Sequence, residues 1–372
     1  MKAPEATVPL TECAPKVKFT PANANNHLFH RARVGDEIEI ENNNSRVIYE
    51  FNLLGLSNFG EYQIPMSIFF FIINVLTIFG NLFIFDIIRR DRSLHNPMYF
   101  FLSHLSFLDM TSSCIILPKM LANYLTNTRS ISYVGCLIQL YFFITFLATE
   151  CFLLTTMAYD RYVAICNPLC YALIMNSKLC IVMAVCSWMF GLMYAMLHTI
   201  LIARLDFCHC REITNYFCDL PPLLRISCTN ILQNIVLIFL GGVLIGVNSL
   251  IFTLLSYIHI MLSILRIHSV KGRYKAFSTC ASHIIVFTLF ISSLVAVYFQ
   301  PVSTYSLYGD RLLSLVYTVL TPLLNPLIYC IRNADVKKAI GKMLSLQRQR
   351  MCLIIAQSRA VGKLGIADVC LY

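Results

Sequence analysis

Seven long stretches of the chain are almost wholly apolar, and shorter segments rich in Lys, Arg, Asn and Asp separate them. A bilayer core about 30 Å thick takes roughly 20 apolar residues as helix, and the runs have that length. The pattern predicts membrane helices over Ile64–Ile88, Pro97–Tyr124, Cys136–Ile165, Leu179–Ile202, Ile231–Leu265, Ala276–Phe299 and Leu312–Ile331. The second run is the least apolar, because it carries His104 and Asp109. Its assignment leans on its neighbours and on even spacing along the chain. The expected fold is an all-α integral membrane bundle of seven transmembrane helices over residues 64–331, between an amino-terminal segment, 1–63, and a tail, 332–372.

Charge sets the orientation. Lys and Arg collect in cytoplasmic loops. Arg89, Arg90 and Arg92 follow the first run, Arg266, Lys271, Arg273 and Lys275 lie between the fifth and sixth, and Arg332, Lys337, Lys338 and Lys342 follow the seventh. The opposite loops mix Arg129, Arg204, Arg211, Arg225 and Arg311 with Asp206, Glu212, Asp219 and Asp310. The amino terminus is therefore expected outside and the carboxyl terminus inside, in a multi-pass protein of the plasma membrane. Composition agrees: 58% of residues are hydrophobic and 13% charged, far from the usual soluble balance. The net charge of +10 reads as a topology signal and an attraction to anionic lipid headgroups, with no call for nucleic acid.

Residues 1–40 contain no continuous apolar region, so the first membrane helix is expected to act as the signal. Asn43-Asn44-Ser45 is a glycosylation sequon on the expected outer side, with Asn43 as acceptor. After the seventh run, Lys337, Lys338 and Lys342 alternate with Val336, Ile340 and Leu344, which suits a short amphipathic helix on the inner leaflet. Of the sixteen cysteines, Cys136, Cys208, Cys210, Cys218 and Cys228 fall on the oxidising side, where disulfides are expected. A metal site at Cys208-His209-Cys210 is the competing reading.

Polar residues within the runs each need a reason, since an ionisable group at the bilayer centre costs about 2.5–3.5 kcal/mol. Asp109 lies twelve residues beyond Pro97, and Glu150 eleven before Arg161. At 1.5 Å per residue both sit roughly 16–18 Å above the inner boundary. Two carboxylates at one depth suit a small hydrated cavity holding a cation, such as sodium, or a shared proton, with Asn81 and Asn325 adding polar contacts. The alternative is that each bonds local hydroxyls such as Ser106 and Thr155. At the inner mouth, Arg161 beside Asp160 suits a pair that closes at rest and offers five donors when released. Pro326, inside the last run, removes a backbone hydrogen bond and permits a kink.

Several motifs in chain order carry a family resemblance. They are Gly80-Asn81, Leu94-His95-Asn96-Pro97-Met98-Tyr99-Phe100-Phe101-Leu102-Ser103, Leu105-Ser106-Phe107-Leu108-Asp109 and Met157-Ala158-Tyr159-Asp160-Arg161-Tyr162-Val163-Ala164-Ile165-Cys166. Ser256-Tyr257, Lys275-Ala276-Phe277-Ser278-Thr279-Cys280-Ala281-Ser282-His283 and Pro322-Leu323-Leu324-Asn325-Pro326-Leu327-Ile328-Tyr329 complete the set. Across residues 43–345 the chain resembles the olfactory (odorant) receptors, a family of rhodopsin-like, G-protein-coupled receptors.

That resemblance implies a receptor for a small volatile ligand that activates a stimulatory olfactory-type G protein and raises cyclic AMP in olfactory cilia. It implies that Asp160, Arg161, Tyr162, Tyr257, Asn325, Pro326 and Tyr329 rearrange at the inner mouth. It also implies disulfides Cys136–Cys218 and Cys208–Cys228, and ligand-pocket walls at Phe143, Ile144, Leu147, Ala148, Gly242, Ile245, Leu294 and Tyr298. Tyr141–Ala148 contains no acid, so the carboxylate that an amine receptor uses is missing and a mostly neutral ligand is expected. The chain departs from the family at Phe290-Ile291-Ser292, where Phe-Tyr-Gly is usual, and a member impaired in signalling is the main rival reading. An opsin would need a lysine in the seventh run, which has none. An ion or proton transporter leaves the Asp-Arg-Tyr and Asn-Pro motifs unexplained, and no nucleophile, base and orienting group stand together as an enzyme requires.

Overall fold

The computed structural model describes residues 49–55, 63–126, 128–207, 211–266, 268–299, 307–332, 335–345, 348–349 and 351. Seven long helical spans account for most of them. The first four are Gln63–Arg90, Pro97–Thr126, Tyr133–Cys166 and Ser177–Ala203. The fifth, Leu232–Leu265, contains a π-helical run at Gly242–Val247. The sixth is Val270–Tyr298. The seventh runs through Leu307–Leu315, a second π-helical run at Val316–Leu320, and Thr321–Arg332, with Pro326 inside. Six of the seven are long and apolar enough to cross a bilayer by themselves, and the sixth contributes a shorter apolar stretch, His283–Tyr298.

The helices outrun the apolar stretches that predicted them because their ends are set by polar caps. Ser132 accepts from the Gly135 N–H at 3.1 Å, Asn176 from Leu179 at 3.0 Å and Ser269 from Gly272 at 3.3 Å, each satisfying a donor that the first turn leaves over. Buried hydroxyls bond back to their own helix, as Thr145 does to the Tyr141 carbonyl at 2.8 Å. The third span is the most enclosed, with 67% of its most apolar window buried against 11% for the fifth, so it forms the axis of the bundle. Apolar side chains such as Phe69, Leu76, Phe79, Phe239 and Phe252 cover the outer surface, as contact with hydrocarbon demands.

A small sheet closes the outer end, the one that the charge pattern places outside. In β1 (Glu50–Leu53) the alternation Glu-Phe-Asn-Leu buries Phe51 and Leu53 and leaves Glu50 and Asn52 exposed. It pairs antiparallel with β2 (Ser130–Ser132), Phe51 opposite Ile131, and parallel with β3 (Glu212–Ile213), Asn52 opposite Glu212. Part of the segment expected to be a plain outer extension is thus stitched to the bundle. At the inner end, residues 335–345 are helical, Val336 and Ala339 are buried, and Lys342 Nζ lies 3.5 Å from Asp91 between the first two spans. Bonds from Ser93, with Lys342 nearby, hold the Asp91 carboxyl below its ordinary value. Asn43 lies outside the described residues.

Candidate functional site

The apolar core falls into an outer cluster around Phe51, Leu117, Leu140 and Phe217 and an inner one around Leu94, Leu105, Leu154 and Phe290. Polar residues gather where the two meet. Asn325 Nδ2 donates to Asp109 Oδ2 at 2.9 Å, and Glu150 lies close to both. Asn81 Nδ2 donates to the carbonyls of Thr77 and Pro322, each at 3.0 Å, and so ties the first span to the seventh. All four side chains are buried. Asn81 Oδ1, Glu150 Oε1, Asn325 Oδ1 and the Ser113 hydroxyl have no partner among the described residues. Thr155 bonds the Cys151 carbonyl at 2.9 Å. His104, the other polar residue of the second span, receives the indole N–H of Trp188 at 3.4 Å.

At the inner mouth Arg161 pairs with Asp160 through both Nε, at 2.9 Å, and Nη2. Asp160 is wholly buried, and its other oxygen accepts the Tyr171 hydroxyl at 2.8 Å. Burial, and then the Asp160 charge, push the Tyr171 phenol well above its ordinary value, so it stays a donor. Tyr257 meets His283 Nδ1 at 2.7 Å, joining the fifth span to the sixth. Tyr162 packs at the same level against His259. The side chain of Tyr329 lies outside the described residues; its backbone continues the helix that holds Asn325 and Pro326.

The outer half holds an apolar cavity of about 130 Å³ between the third, fifth and sixth spans. Ile144, Leu147, Ala148, Gly242, Ile245, Leu294 and Tyr298 line it, together with Cys151, Tyr194, Leu220 and Ile291. Ile144, Leu147, Ala148 and Cys151 follow the 3–4 spacing of one helical stripe. Phe143 is not among these lining residues. It stands one helical step from Ile144, about 100° round the axis, and packs against Phe217 and Tyr317 instead. The wall from the fifth span is the π-helical run, whose extra residue per turn displaces the backbone locally.

A folded loop roofs the cavity. Cys136 and Cys218 are joined by a disulfide, and the Cys218 N–H donates to Gln139 Oε1 at 2.9 Å. Cys228 is also disulfide-bonded, while Cys208, its expected partner, and Cys210 lie outside the described residues. Next to Cys218, Asp219 accepts from the Tyr298 hydroxyl at 2.7 Å, the Tyr317 hydroxyl at 3.0 Å and the Leu220 N–H at 2.7 Å. The Tyr216 hydroxyl meets Thr318 at 2.6 Å, and Arg311 Nε donates to the Thr214 carbonyl at 2.6 Å. Sequence reasoning missed Asp219, Tyr171 and Tyr194. An acid beside a disulfide cysteine is a usable signal for the first; nothing in spacing marks the other two.

Comparison with known proteins bears on the same residues. The family model described as "Olfactory receptor" matches residues 69–347. Olfactory receptor 5AP2 of Mus musculus is 45% identical over 305 residues, covering 82% of this chain and 96% of the relative. Olfactory receptor 5F1 of Homo sapiens is 46% identical over 300 residues, covering 80% and 95%. Among solved structures, squid rhodopsin superimposes with a TM-score of 0.61 at 16% identity, over 77% of this chain and 86% of that one.

Proposed function

The chain belongs to the olfactory receptor family of G-protein-coupled receptors and is a multi-pass membrane protein, and from that premise we propose that it binds a small, mostly neutral volatile in the outer cavity and activates a stimulatory olfactory-type G protein, raising cyclic AMP. The observation that carries this reading is that one helix serves both ends. Ile291 and Tyr298 of the sixth span line the cavity, and His283 of the same helix bonds Tyr257 toward the inner mouth. Ile291 and His283 are eight residues apart, about 12 Å along the axis. A ligand that favours a displaced sixth span therefore acts on both ends through one rigid element.

The cavity size supports a volatile. An apolar cavity of about 150 Å³ takes benzene, so about 130 Å³ fits a compound of that order. At the inner mouth, release of Arg161 from Asp160 presents a guanidinium with five donors to the incoming G-protein subunit. For the polar layer we propose a bound sodium ion, or a proton shared by Asp109 and Glu150. The unpartnered oxygens of Asn81, Ser113, Glu150 and Asn325 suit a hard cation. A second reading, a receptor that binds but signals poorly, rests on Ile291, whose side chain lines the cavity where the family resemblance implies a tyrosine.

The test is cyclic AMP in cells expressing the chain with the olfactory G-protein α subunit, exposed to a broad panel of volatiles beside Arg161→Ala. A response that the variant loses at equal surface expression supports the receptor reading. Silence at confirmed surface expression, followed by a response from Ile291→Tyr, supports the second.

A further inference from the structure

The cavity wall is apolar apart from a few atoms, and its two tyrosine hydroxyls differ. The Tyr298 hydroxyl donates its hydrogen bond to Asp219. The Tyr194 hydroxyl, on the fourth span, makes no hydrogen bond among the described residues. A hydroxyl facing an apolar space with its hydrogen bond unmade is costly, and the cost disappears when an occupant supplies the partner.

Two further features place that hydroxyl. Gly241 and Tyr194 both line the cavity, and a Cβ at Gly241 would lie 2.0 Å from the Tyr194 hydroxyl oxygen and 2.5 Å from the ring carbon bearing it. Only glycine lets the hydroxyl occupy this position. Behind it, the Tyr194 ring packs edge-on against His198, with centroids 4.4 Å apart. His198 is wholly buried, and neither of its ring nitrogens has a partner among the described residues, so the tyrosine is held by ring packing and its hydroxyl stays uncommitted.

Resting on the reading of this cavity as the ligand site, we propose that the Tyr194 hydroxyl is the polar anchor of the pocket and makes the receptor select compact oxygenated ligands, such as ketones, over hydrocarbons of the same shape. Tyr194 donates to the ligand oxygen while the ring or chain of the ligand fills the space walled by Ile144, Ala148, Ile245 and Leu294. Hydrocarbons fit the same walls but leave the hydroxyl unpaired.

The test uses the purified full-length receptor in lipid nanodiscs and two probes of one shape, cyclopentanone and methylenecyclopentane, with affinity read from ligand-dependent thermal stabilisation. The quantity that matters is the ratio of the two affinities, since it removes differences in cavity filling. In Tyr194→Phe the preference for the ketone is expected to fall about 3- to 10-fold, the range for one neutral hydrogen bond, with methylenecyclopentane affinity unchanged. Gly241→Ala, which pushes the hydroxyl aside, is expected to lower the ratio likewise. An unchanged ratio in Tyr194→Phe, or no binding of either probe to the folded receptor, overturns the proposal. Because no G protein is present, intact probe selectivity together with absent cyclic AMP signalling would remove the signalling reading and leave the anchor standing.

Discussion

Asp219 and Asp109 are both buried carboxylates, each 1% exposed, yet their surroundings are opposite. Asp219 takes two tyrosine hydroxyls and a backbone N–H from a loop that a disulfide already fixes. Asp109 takes one side-chain donor, Asn325, in a layer where Asn81, Ser113, Glu150 and Asn325 all keep an unpartnered oxygen. A buried polar group with every bond made is a structural tie, because removing it strands its partners. A buried group whose bonds are unmade among the described residues leaves them for water or an ion. By this contrast the roof is tied within the chain, while the mid-bundle is where we have proposed an ion or a shared proton.

The contrast is broken most forcefully at the roof. Asp219→Ala strands Tyr298 and the Leu220 N–H and leaves the Tyr317 hydroxyl with Ser314 alone, and the expected loss is about 2–4 kcal/mol of stability, read as a lower unfolding temperature of the purified receptor; Asp219→Asn should recover part of it. At the inner mouth, Tyr171→Phe removes one donor from a fully buried Asp160 that keeps Arg161. The expected effect is smaller, about 1–2 kcal/mol, seen as raised cyclic AMP without ligand. Because the Tyr171 phenol titrates well above its ordinary value, wild-type basal signal should not change with pH over the physiological range on its account. Smallest in stability is Asp109→Asn, expected within about 1 kcal/mol, because Asn keeps the shape and one acceptor oxygen in a site where few bonds depend on it. Its signature is the loss of any stabilisation by sodium over choline. Sodium stabilisation that survives in Asp109→Asn would mean that the ion is not held by Asp109.

Much of this was legible in the sequence. Each span is announced by its apolar run, because lipid leaves no other way to satisfy the backbone, and the carboxylates at Asp109 and Glu150 announce themselves by their cost. Asp160 and Arg161 were found because neighbours in sequence remain neighbours in space. What could not be read depends on tertiary pairing. β1 is four residues long, and its partners lie at Ser130–Ser132 and Glu212–Ile213, far along the chain. Tyr171 matters only because the turn after the third span brings it back to Asp160, and Tyr194 only because Gly241 lies against it. The two π-helical runs have no periodic signature, yet one sets the cavity wall and the other presents Tyr317 to Asp219.

An activating ligand seated in the outer cavity, as proposed, would be excluded by a side chain that fills it. The most direct measurement is a concentration–response curve for a volatile that activates the wild type, repeated on Ala148→Phe, which fills the cavity from the third span without touching Asp219 or Arg161. The account predicts that the response is lost while surface expression and ligand-free cyclic AMP stay at wild-type levels. An unshifted response in that variant would contradict it.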